Sequence, residues 1–137
     1  MAVIEELIRL EDNGTLSFGN YLMDIKKKVL DFEVNGDLYK VKTFREITKL
    51  EKNGKMLLEA VPGATIHNFL FNDKAVSFSV ESLEDLQVTL ELEPSAEYKI
   101  KIDDVNVGKM KTGLSGKVNF SIEMKKEPQK IVIEKLV

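Results

Sequence analysis

Few side chains in this sequence have both the type and the company that chemistry requires. The single histidine, His67, lies in the apolar stretch TIHNFLF, where strand alternation sends Ile66 and His67 to opposite faces. A histidine there could act as a general base or touch a ligand. No Ser, Cys or carboxylate stands near it at a motif spacing, so the residues alone describe an ordinary strand histidine. Tyr21, after Ser17-Phe18-Gly19-Asn20, is expected to be partly exposed, whereas Tyr39 and Tyr98 fall on inward or cross-strand positions. Tyr21 and His67 are therefore the two candidate binding residues. Asp103-Asp104 with Asn106 offers oxygen ligands but lacks the repeated carboxylates and glycine of a calcium loop, and reads as an Asx turn. The chain has no nucleophile elbow, no P-loop and no G-x-G-x-x-G. Gly113 and Gly116 flank a turn with no helix behind it to hold a phosphate. No catalytic residue, metal or cofactor is expected.

Composition narrows the classes further. The 137 residues contain no Cys, which removes thiol catalysis and thiolate metal sites. Lys and Arg number 20 against 23 acids, for a net charge of -3, and only Arg9 and Arg45 are arginines. The dense basic run Lys26-Lys27-Lys28, with Lys125-Lys126, reads as a solvated face. Without a basic surplus, nucleic acid is not an expected partner. Nor is a membrane, because no apolar run approaches the roughly 18 residues of a span. Glu5 and Glu6 stand where a signal peptide would be apolar, so a cytoplasmic location is expected, with export by a non-classical route as the alternative. Among 23 acids nothing singles out the two carboxylates of a glycosidase.

The elements that must position these residues are strands. Val76-Phe78-Val80, Val88-Leu90-Leu92, Tyr98-Ile100-Ile102 and Val118-Phe120-Ile122-Met124 each alternate with polar neighbours, the pattern of half-buried antiparallel strands. A last strand runs from Lys130 to Leu136. The opening stretch fits either a turn of helix or a strand from about Glu6. Asn-Gly occurs at Asn13-Gly14, Asn35-Gly36 and Asn53-Gly54, the strongest short hairpin signal. Matching faces across each turn predicts three-residue bulged loops at the first and third sites. Those loops pair Leu10 with Leu16, Ile8 with Phe18, Leu50 with Met56 and Glu51 with Lys55. At the second site a two-residue turn pairs Phe32 with Tyr39, Leu30 with Val41 and Asp31 with Lys40. Val61-Pro62-Gly63 turns between a hairpin-rich stretch, residues 1–64, and an alternating stretch, 65–137, which are expected to pack as one all-β antiparallel β-sandwich.

Across most of its length the chain resembles a group of short, mostly uncharacterised proteins of anaerobic Gram-positive bacteria. LSFGNY, DFEVNGDLYKVKT, LEAVPGATIHNF and KIDDVNVGKMKTGLSGKVNFS carry the likeness. Some of these proteins are labelled endosialidase, so the resemblance implies an endosialidase-type glycosidase as one expectation; it supplies no site residues. The second half also resembles the small β-sandwich appendages of carbohydrate-active enzymes and cell-surface proteins. Strand edges point elsewhere, to a non-catalytic structural or interaction module that self-associates as a homo-oligomer. Lys99 and Lys101, with Lys130 and Lys135, would guard two edges. TIHNFLF and MLLEAV, apolar on both faces, would need cover from the other half or from a second subunit. A carbohydrate-binding accessory domain is the alternative, so a glycan or another protein joins the expected partners.

Overall fold

The computed structural model of the chain describes residues 3–136. A run with an apolar side chain at every second residue can bury one face only as a strand, and strands are what form. They are β1 (Ile8–Leu10), β2 (Leu16–Phe18), β3 (Lys27–Val34), β4 (Asp37–Phe44), β5 (Ile47–Lys52), β6 (Lys55–Val61) and β7 (Thr65–Phe71). After these come β8 (Ala75–Glu81), β9 (Leu86–Glu91), β10 (Glu97–Ile102), β11 (Val105–Lys111), β12 (Lys117–Ile122) and β13 (Gln129–Lys135). One sheet has the order β1-β2-β7-β8-β13-β10-β11 and the other β12-β9-β6-β5-β4-β3, all antiparallel. Phe18, Ile66, Val80 and Ile133 of the first sheet share one buried cluster with Leu50, Leu58, Val88 and Leu90 of the second. The fold is a β-sandwich, as expected. Strands β2 and β7 pair, as do β6 and β9, so residues 1–64 and 65–137 both contribute strands to each sheet.

Turn chemistry worked as expected at two of the three Asn-Gly sites. At the first, Leu10 faces Leu16 and Ile8 faces Phe18 across a loop closed by Gly14 at φ +85°. The second is a two-residue turn with Asn35 at φ +51° and Gly36 at +86°, and Phe32 faces Tyr39. Beyond that pair the expected register fails: Val29, not Leu30, faces Val41, because Leu30 and Asp31 form a bulge with Asp31 at φ +55°. The third turn corrects a prediction. It too is a two-residue turn, with Lys52 opposite Lys55, Glu51 opposite Met56 and Leu50 opposite Leu58. The extra residue is Leu57, inside the strand rather than in the loop, so faces are matched by a bulge after the turn.

Edges also differ from expectation. Both β10 and β13 are interior strands, so Lys99, Lys101, Lys130 and Lys135 do not guard a free edge. Strand β11, with exposed Val105 and Val107, takes that place and had no counterpart among the expected strands. In β7 the apolar surplus of TIHNFLF is divided by a bulge at Asn68, φ +55°. Ile66 and Phe69 enter the core while Leu70 and Phe71 stay at the surface. The opening strand begins only at Ile8, because Leu7 turns at φ +74°.

Candidate functional site

The two residues singled out in the sequence converge on a third that sequence reasoning missed. Glu81 closes β8 opposite Thr65, two residues before His67, and is only 6% exposed. The Tyr21 hydroxyl donates to its Oε1 at 3.4 Å, and His67 Nε2 lies 3.9 Å from Oε2. Tyr21 is 2% exposed, so the expected partial exposure is wrong. Its loop explains why. Thr65 Oγ1 donates to the Gly19 carbonyl at 2.9 Å, and Asn20 N donates to Thr43 Oγ1 at 2.9 Å. A Cβ on Gly19 would collide with the Ala64 carbonyl oxygen, so glycine lets the loop lie flat on the sheets and turns Tyr21 inward. Burial pushes the Tyr21 phenol up to about 12, and the neighbouring Glu81 carboxylate adds to the shift. The phenol and the buried carboxyl thus brace loop against sheet, and Tyr21 also forms part of the wall of a neighbouring cleft.

Glu11 belongs to the same polar layer. It accepts a short hydrogen bond from Ser17 Oγ and an ion pair from Arg9 at 3.2 Å. The Ser17 hydroxyl, opposed by burial and assisted by Arg9, holds the Glu11 carboxyl below its usual range. Ser17 Oγ also accepts from Asn68 N at 3.0 Å, so this serine is occupied structurally. Asp103-Asp104 is a turn, with φ +50° and +66°, but the Asp103 carboxylate accepts from Lys130 N at 2.9 Å rather than from its own turn, so it ties the turn to β13 instead of closing an Asx turn. Among the described residues no three His, Asp or Glu side chains gather to hold a metal.

Beside Tyr21 the turns enclose a cleft of about 520 Å³ at one end of the sandwich. Its frame is a relay of hydrogen bonds between turns. Arg45 N donates to the Met23 carbonyl at 2.9 Å, Gly63 N to the Arg45 carbonyl at 2.9 Å, and Ser82 Oγ to the Gly63 carbonyl at 2.6 Å. Pro62, after a cis peptide bond, and Leu83 supply apolar wall, and Glu46 and Glu84 add carboxyl groups. Arg9 is engaged by Glu6 and Glu11, whereas no described carboxylate comes within ion-pair distance of Arg45. The cleft can therefore offer a free guanidinium, two acids and an apolar wall to a small ligand. Of its lining, sequence reasoning singled out only Tyr21, since Arg45, Pro62 and Ser82 meet only through three separate turns. No helix among the described residues is long and apolar enough to cross a membrane. Compared with known proteins, the chain matches no protein-family model, no curated protein and no solved structure.

Proposed function

We propose that the protein is a non-catalytic interaction module that takes a ligand in the cleft at the turn end of its sandwich. The observation that carries this reading is Arg45, whose backbone is held in the hydrogen-bonded frame and whose guanidinium has no carboxylate partner among the described residues. Arginine's planar fork suits a carboxylate, and a ligand that also carries hydroxyl groups would meet Glu46 and Glu84. An acidic glycan has that chemistry, which favours the carbohydrate-binding form of the module over a purely structural one. The test is calorimetric titration with acidic and neutral oligosaccharides. Binding of an acidic one is expected, weakened about tenfold by Arg45→Gln, the scale of one charged hydrogen bond. Absence of binding across the panel would remove the reading. Glycan hydrolysis that disappears in Glu46→Gln or Glu84→Gln would replace it with the glycosidase reading.

Self-association is the second reading, favoured by the uncovered edge β11 with Val105 61% and Val107 55% exposed. Antiparallel self-pairing centred on Gly108 would set Lys109 against Val107 and Lys111 against Val105, avoiding opposed like charges. Light scattering on a sizing column should then give a dimer that Val107→Pro converts to monomer, since proline removes a ladder donor. A monomer at every concentration would exclude it.

A further inference from the structure

The sheet assembles a basic surface that the linear sequence conceals. Lys28 faces Lys42 across β3 and β4, and Lys42 faces Lys49 across β4 and β5. Directly opposed residues share a face, and Lys40 joins them one pleat away. Lys26 lies just before β3. Burial, followed by Lys26, Lys49, Lys28 and Lys40, pushes the Lys42 ammonium below its usual range. Among the described residues only Lys40 of the five has an acid in ion-pair distance, Glu51 at 3.7 Å. Glu59 stands opposite Lys49 without closing a pair. Like charges set directly opposite each other destabilise a sheet. An arrangement that keeps three in a row, in a chain of net charge -3, has a use for the local positive field.

We propose that this outer face of the six-stranded sheet docks on an anionic lipid bilayer. Two observations favour a membrane over a soluble polyanion. All five cations are lysines, point charges suited to a diffuse negative surface rather than to fork-like recognition of one group. Beside them, Leu30 is 60% and Leu38 44% exposed, and they line one shallow depression with Lys40, which Asp31 and Glu51 also line, while Glu33 stands opposite Leu38. Leucines flanking lysines can enter the headgroup boundary while the ammonium groups stay at the phosphates; a free polyanion gives such leucines nothing apolar to meet.

Co-sedimentation with phosphatidylcholine vesicles, with and without phosphatidylserine, tests this. Partitioning onto the phosphatidylserine vesicles alone is expected, released by salt and reduced about fivefold for each lysine neutralised in Lys28→Gln, Lys42→Gln and Lys49→Gln. These substitutions should raise the melting temperature while lowering binding, because they relieve repulsion, so lost binding is not misread as lost folding. A Leu30→Ser/Leu38→Ser variant should bind more weakly with its salt dependence intact. Failure to bind phosphatidylserine vesicles, or unchanged binding in the lysine variant, would overturn the proposal. So would unchanged vesicle binding by the leucine variant together with competition by heparin, which would assign the face to a soluble polyanion. Lys28, Lys42 and Lys49 do not line the cleft that holds Arg45, so the lysine variants should lose vesicle binding while keeping oligosaccharide binding, and the two proposals can fail separately.

Discussion

Ionising Tyr21 would place a negative charge beside Glu81 in a region closed to solvent, and its phenol is accordingly raised from 10.0 to about 12. A folded-state value above the unfolded one leaves stability intact below pH 10 and erodes it as pH rises towards 12. The difference in phenolate absorbance between wild type and Tyr21→Phe should thus emerge near pH 12, and Tyr21→Phe should flatten the alkaline loss of melting temperature. Glu11 behaves in the opposite sense. Ser17 and Arg9 keep its folded value below 4.5, so its contribution is complete above that pH and disappears as pH falls through the lowered value. Melting curves down to pH 2 should show a shallower acid limb for Glu11→Gln than for wild type, from a lower starting stability.

Bulges account for most of the distance between sequence and structure at the level of elements. The four alternating strands were legible because each places apolar side chains on one face without interruption, as Val76, Phe78 and Val80 do. Strand β11 was not, since its edge position leaves Val105 and Val107 outside and gives the core only Met110. Glu81 was missed for a related reason: the bulge at Asn68 offsets the count between β7 and β8, so its neighbour His67 is not found by stepping along a regular hairpin. Turn composition does not say whether a bulge falls in the loop, as at Gly14, or in the strand, as at Leu57. The cleft depends on such packing as well. A Cβ at Gly63 would collide with the Phe44 carbonyl oxygen, so Gly63→Ala must pry apart the turns that carry Arg45 and Ser82. Overpacking of this kind costs about 1–3 kcal/mol. Thermal denaturation should register that loss, and ligand binding in the cleft should weaken with it.

At the scale of the molecule, stability is shared rather than divided. Each sheet takes strands from both sides of the Val61-Pro62-Gly63 turn, and the core cluster runs through both sheets. Separate chains of residues 1–64 and 65–137 would each leave their share of that cluster uncovered and should remain unfolded by circular dichroism. The whole chain should melt in one transition whether followed by dichroism or by tyrosine fluorescence. Timing follows from the same topology. Strand β13 sits between β8 and β10 and is the sole link joining the β10–β11 hairpin to the rest of its sheet. During synthesis, everything from β1 to β12 emerges ahead of this keystone. Until Gln129–Lys135 emerge, β8 and β10 present open edges, so the seven-stranded sheet closes only once this segment is available to pair.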